Sequence, residues 1–170
     1  MYCNRPRLLQ KLIDELEKAA SVIENLSDLG YRSTANNTGS VGGHIRHNLD
    51  FVKSLLKGVE TGRIDYSARE RDPRVEEDRS YAAGKIAETI LRIASLSASD
   101  LDRTVFVRSE IDPDAWYASS LMRELEFVHS HTVHHHALVA EKLSKANVVI
   151  PDHFGVAPST LEYWNARAAS

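Results

Sequence analysis

Glu124-Leu125-Glu126-Phe127-Val128-His129-Ser130-His131-Thr132-Val133-His134-His135-His136-Ala137-Leu138 holds five of the eight histidines in a chain of 170 residues. Leu121, Leu125, Val128, Leu138 and Val139 recur with helical spacing, with Thr132 on the same side. The stretch therefore reads as the core of an amphipathic helix from about Ser119 to Lys145. His131 and His135, four residues apart, fall one turn apart on one face. That spacing suits two ligands of a single metal ion, and the apolar stripe beside it predicts that the pair points toward a core.

Working outward, a second helix shows the same habit. Ser40 is a candidate N-cap, and Val41, Ile45, Leu49, Val52, Leu55, Leu56 and Val59 run on helically to a stop near Gly58 or Gly62. His44 and His47 are stacked on it, with Phe51 one turn later. A lone helical histidine is ordinarily solvated or satisfied in a core. Two helices that each stack histidines along an apolar side point instead to a shared metal. Gly42 and Gly43 open this second helix at a cost of about 1 kcal/mol each relative to alanine, which predicts a close approach of backbone or ligand there.

Two further helices complete the set. Leu8, Leu9, Leu12, Ile13, Leu16, Ala19, Ala20, Ile23 and Leu26 give a first helix over residues 6–29, closed by Gly30, with a loop over 31–39. Asp72 and Pro73 start a third, whose inner side is Tyr81, Ala82, Ile86, Ile90, Ile93 and Leu96. Residues 100–117 alternate, then turn at Ile111-Asp112-Pro113-Asp114. With no partner strand in view they are expected to form a crossover. Ser159-Thr160-Leu161-Glu162 has the pattern of a capping box opening a short last helix. The expected fold is all-α, one domain over 1–170: a four-helix bundle with a long crossover between helices three and four and a short C-terminal helix.

Composition narrows the function. The chain is 42% hydrophobic and 26% charged with a net charge of −3, and no basic block is present, so nucleic acid is not an expected partner. No run approaches the roughly 18 apolar residues of a membrane span, and the start Met1-Tyr2-Cys3-Asn4-Arg5 has no apolar leader. The single Cys3 forms no internal disulfide, and a reducing cytoplasm is expected.

Among metal chemistries, a zincin requires glutamate after the first histidine, where His131 is followed by Thr132. A di-iron bundle requires two Glu-x-x-His pairs, and Glu126 with His129 is a single one. What remains is a mononuclear site of His131, His135 and one histidine of the second helix, His44 or His47, with positions open to water or substrate. The Arg63–Arg79 stretch interleaves charges of both signs. Local ion pairing is the plain account, and an anion-binding role for Arg69, Arg71 or Arg79 is the sharper one.

The segment His131-Thr132-Val133-His134-His135 resembles the His-x-x-His-His element that ends the fourth helix of the DinB superfamily, the DNA-damage-inducible, YfiT-like metal-binding bundles. Ser40-Val41-Gly42-Gly43-His44-Ile45-Arg46-His47-Asn48-Leu49-Asp50 is similar to that family's second-helix ligand segment. The resemblance implies metal ligands at His47, His131 and His135, with His44 as the alternative on the second helix and His134 flanking the site. Where the family often continues Arg-Gly-Gln, this chain has His136-Ala137-Leu138, so no substrate role is carried over to those positions. Relatives include S-transferases that use bacterial low-molecular-weight thiols, a maleylpyruvate isomerase, and members of no known activity.

The resemblance thus implies a divalent-metal-dependent enzyme, of S-transferase or hydrolase type, whose metal activates a thiol or water. Zinc or nickel is expected ahead of iron or cobalt, and the substrate is a small molecule, a low-molecular-weight thiol among the candidates. Glu124 is a candidate to orient a ligand's second nitrogen, and Tyr66 and His153 are candidates for the pocket rim. Val133, Ala137 and Ala140 behind the histidine face suggest a homodimer contact. The alternatives are a non-enzymatic bundle stabilised by its metal, acting as a stress-associated binding protein, and a helical interaction module with no metal.

Overall fold

A computed structural model of the chain describes residues 6–34 and 39–169, so Cys3 and the middle of the expected 31–39 loop lie outside the described residues. Four long helices form the frame: α1 (Arg7–Glu24), α3 (Val41–Thr61), α5 (Arg79–Ala94) and α7 (Leu121–Lys145). Between them lie the short helices α2 (Asp28–Arg32), α4 (Pro73–Glu77) and α6 (Ala98–Leu101), and α8 (Pro158–Ala168) follows. In the bundle α3 touches α7 and α5, and α1 touches α5 and α7, so α3 and α7 are neighbours along their length.

Side-chain caps set most of the boundaries. The Ser40 hydroxyl accepts from Gly43 N at the start of α3, and Gly62, at φ 71°, ends that helix in the left-handed conformation. Asp72 caps α4, Asp78 caps α5 by accepting from Tyr81 N, and Ser120 caps α7. The first helix is shorter than its apolar pattern: α1 stops at Glu24, and Ser27 caps the separate turn of α2, which buries Tyr31 completely. The Tyr31 hydroxyl donates to the Val75 carbonyl at 2.6 Å, tying α2 to α4. The last helix begins at Pro158, with Ala157 in the cap position and no capping side chain, so the box expected at Ser159 is not formed. None of the residues of α8 is buried.

The connection between α5 and α7 departs from the expected lone crossover strand. Thr104–Arg108 (β2) pairs antiparallel with Trp116–Ser120 (β3), in the register Thr104↔Ser120 through Arg108↔Trp116. It also pairs parallel with the two-residue β1 (Arg63–Ile64) after α3. The small sheet, in the order β1-β2-β3, caps one end of the bundle and leads directly into α7. The buried core runs through Leu9, Leu12, Leu16 and Ile23 of α1, Leu49, Val52 and Leu55 of α3, Ile86 and Ile93 of α5, and Leu125, Val128 and Val139 of α7. Among the described residues no helix is long and apolar enough to cross a membrane.

Candidate metal centre

The buried line of α7 is Leu121, Leu125, Val128, Thr132, His136 and Val139. His131 and His135 each precede a buried residue by one position, so they lie about 100° round the helix from Thr132 and His136. The pair therefore flanks the core stripe and does not share it, and both rings are half-buried. On α3, His44 and His47 are half-buried in the same way and face α7. The sequence expectation of a core-facing histidine pair is corrected to one at a solvent-accessible edge of the bundle.

Three imidazoles converge here. His47 Nε2 stands 3.1 Å from His131 Nε2, and the His135 ring centroid lies 4.5 Å from that of His47 and 4.6 Å from that of His131. One nitrogen from each of His47, His131 and His135 falls within 4.8 Å of the others, and among the described residues these three could hold a metal ion. Two nitrogens on one tetrahedral zinc, each about 2.0–2.1 Å from it, are about 3.3 Å apart, so the observed separation fits a shared ion. His44 approaches from the side, its Nδ1 2.9 Å from His135 Nδ1. His134 is exposed and meets His135 edge-on at 5.3 Å.

Electrostatics prepares these rings to donate lone pairs. Burial, with the charges of Arg69, Arg46 and His44, pulls His47 down to about 4. Burial and the neighbouring His47, His134 and Arg69 bring His131 to about 4. Burial, reinforced by the neighbouring His131, His47, His44 and His134, brings His135 down to about 3. All three are neutral at pH 7, the form that binds a metal.

Aromatic packing fixes the ring planes. Phe51 stacks on His131 at 3.8 Å with 12° between planes, Tyr66 stacks on the far side of Phe51 at 5.0 Å, and Phe127 closes the corner 5.3 Å from Tyr66. The buried Tyr66 hydroxyl donates to Glu124 Oε2 at 3.0 Å, and Ser119 Oγ donates to Glu124 Oε1 at 2.6 Å. Burial and that carboxylate push the Tyr66 phenol far above its ordinary value. Glu124 thus does not orient a histidine nitrogen, the candidate role read from the sequence, because both of its oxygens are taken by Tyr66 and Ser119. It acts on the site through Tyr66 and Phe51.

Of the three arginines, Arg69 alone reaches the cluster. Its Nη1 lies 2.8 Å from His47 Nδ1, and its guanidinium sits 5.5 Å from the centre of the Phe51 ring. Arg79 ties α5 to the end of α1, pairing with Asp28 at 3.1 Å and donating to the Ile23 and Glu24 carbonyls. Arg71 is exposed. His129 and His136 are buried toward α1, where His136 Nδ1 meets Glu15 Oε2 at 2.9 Å. That buried pair, 121 residues apart, went unremarked in the sequence, where Glu15 is simply one more charge on an amphipathic helix. His153 lines a cleft of about 700 Å³ with Lys18, Glu15 and His129, against α1.

Comparison with known proteins bears on this arrangement. A DinB-like protein of Bacillus subtilis, known from a crystal structure, superposes with a TM-score of 0.64 at 15% identity, covering 89% of this chain and 100% of the other, which shows a common fold. A stretch of 104 residues, 59% of this chain, is 31% identical to FK506-binding protein 5 of Rhizopus delemar, and the chain spans 27% of that protein's length. The family model described as the DinB superfamily matches residues 6–139, a range that takes in α1, α3, α5 and all four of the clustered histidines: the chain belongs to the DinB superfamily.

Proposed function

We propose that this chain is a divalent-metal-dependent enzyme that activates a thiol or a water as nucleophile, in reactions of the S-transferase or hydrolase type. The observation that carries the reading is the half-buried edge at which three neutral imidazoles meet, within 4.8 Å of one another. His47 would hold the ion from α3, and His131 and His135 from α7. A bound ion would lower the pKa of a thiol or water and polarise a substrate oxygen. Three protein ligands leave a coordination position free, as in catalytic rather than structural zinc sites. Zinc or nickel suits three imidazoles, ahead of iron or cobalt.

The chain's own residues do the positioning. Phe51 holds the His131 plane, Tyr66 and Glu124 hold Phe51 from behind, and Phe127 keeps that wall apolar. The core is continuous through α1, α3, α5 and α7 without any of the three ligand rings, which favours a catalytic ion over a structural staple. The substrate is proposed to be a small molecule, with a low-molecular-weight thiol as cosubstrate. A homodimer is proposed as well, checked by sedimentation; of the residues expected to face a second copy, Val133 is buried within the chain itself, which leaves Ala137 and Ala140.

The deciding experiment loads the purified chain with zinc or nickel and follows consumption of a low-molecular-weight thiol with an electrophile such as an alkyl halide. Turnover that disappears on chelation while helical content remains supports the enzyme. A chain that unfolds on chelation and consumes no thiol or ester is the metal-stabilised binding protein instead.

A further inference from the structure

We propose that Arg69 is an anion-binding residue, and that the site takes small organic acids whose carboxylate docks on its guanidinium beside the metal. The inference rests on His47 being a metal ligand and starts from the hydrogen-bond polarity of that ring.

A guanidinium has only donors, so the 2.8 Å contact between Arg69 Nη1 and His47 Nδ1 requires Nδ1 to accept. An imidazole bound to an ion through Nε2 carries its hydrogen on Nδ1. Two N–H groups then face each other, and the contact cannot persist as it stands. Metal loading therefore turns Arg69 away from His47 and leaves it to find another acceptor.

The carboxylate that feels the Arg69 charge, Asp50, already has partners in Arg46 and the Arg71 backbone amide. Among the described residues Arg46, Arg74, Arg79, Arg92 and Arg108 each have a carboxylate within 4.0 Å, and Arg69 has none. Its Nε is buried with no hydrogen-bond partner. The buried Asp50 carboxylate is engaged by Arg46 at 3.1 Å, and Glu70 pairs with Lys53 at 3.7 Å. A half-buried guanidinium in that position is matched by the planar oxygens of a carboxylate.

The surroundings describe the rest of the ligand. Arg46 and Lys53 are already paired with Asp50, Glu76 and Glu70, so the local positive charge is that of Arg69 itself and of a divalent ion beside it. Phe127, half-buried beside Phe51, supplies an apolar flank. An organic acid with an apolar or aromatic body satisfies both features, whereas inorganic phosphate satisfies only the charge.

The test uses the full chain loaded with cobalt(II), whose visible absorption reports the ligand field, titrated with benzoate and separately with inorganic phosphate. The wild type should take up about one cobalt per chain and bind benzoate more tightly than phosphate. Arg69→Gln should retain the cobalt spectrum and bind benzoate roughly tenfold to a hundredfold more weakly, the loss expected for a charged hydrogen bond. Arg69→Lys should recover part of it. Calorimetry on the metal-free wild type should show benzoate binding at least about tenfold weaker, since the two ligands are thermodynamically linked.

Unchanged benzoate affinity in a cobalt-bound Arg69→Gln overturns this proposal and leaves the metal reading standing. Phosphate binding more tightly than benzoate overturns the organic-acid assignment. A wild type that takes up no cobalt overturns the metal reading and this proposal together.

Discussion

Gly42→Ala tests whether the opening of α3 is built around a close approach of backbone. A Cβ added at Gly42 would lie 2.2 Å from the Glu76 carbonyl oxygen, 2.8 Å from Tyr31 Cε1 and 2.9 Å from the Glu76 carbonyl carbon. Carbon makes favourable contacts at about 3.5–4.0 Å, so α4 would have to retreat by roughly 1 Å. The obstacle is main chain and cannot swing aside. Its retreat draws the Val75 carbonyl from the Tyr31 hydroxyl and the Glu76 carboxylate from Arg46, 3.0 Å away.

Overpacking costs about 1–3 kcal/mol, and the buried hydrogen bond adds about 1 kcal/mol. The better helix propensity of alanine returns about 1 kcal/mol. The balance is a loss of about 2 kcal/mol, or about 4–8 °C in Tm for a chain of this size. Gly84, exposed in α5 with nothing within 4 Å of an added Cβ, is the matched control. Gly84→Ala should gain up to about 1 kcal/mol from propensity alone. Urea and thermal unfolding followed by circular dichroism would measure both. A Gly42→Ala protein as stable as the wild type, or two variants shifting together, would refute the close-packing account.

The remaining predictions concern charge and metal. Elemental analysis should find about one divalent ion per chain, lost in His47→Ala, His131→Ala and His135→Ala and kept in His134→Ala. Retention in His47→Ala with loss in His44→Ala would move the α3 ligand to His44. In the metal-free protein the three rings are held below the ordinary 6.5 of histidine. The unfolded chain therefore takes up protons first, and the stability they contribute is full above pH 6.5 and falls as pH drops toward about 4. Thermal melts at pH 7.5, 6 and 5 should step downward, and a flat profile would contradict the burial of the rings. Glu15→Ala deprives the His136 ring of its buried partner, and the urea midpoint should reflect a loss of about 1–3 kcal/mol with metal content unchanged.

The four long helices and the histidine pairs were legible in the sequence because both are written in local spacing, which a helix converts directly into faces. Gly42 was legible for the same reason: glycine in a first helical turn is costly unless something approaches closely, and Glu76 does. The sheet was missed because β1 has only two residues, and the signal for the hairpin lay in the Asp112-Pro113-Asp114 turn between two alternating runs. The end of the first helix was overrun because Leu26 continues the apolar period while Ser27 restarts the backbone as a cap. Glu124 and Arg69 carry no local mark of their partners, Tyr66 and His47, which are 58 and 22 residues away along the chain. Such pairings are set by tertiary contact and become visible only once α3 and α7 lie side by side.

The helix α8 has no buried residue and leaves Tyr163 and Trp164 58% and 48% exposed. Its amides are therefore shielded by helical hydrogen bonds alone, without the burial that links α3 and α7 to global unfolding. In deuterium exchange α8 should open as its own unit, at a small fraction of the free energy that protects the bundle, and proteases should trim it while the histidine helices stay intact.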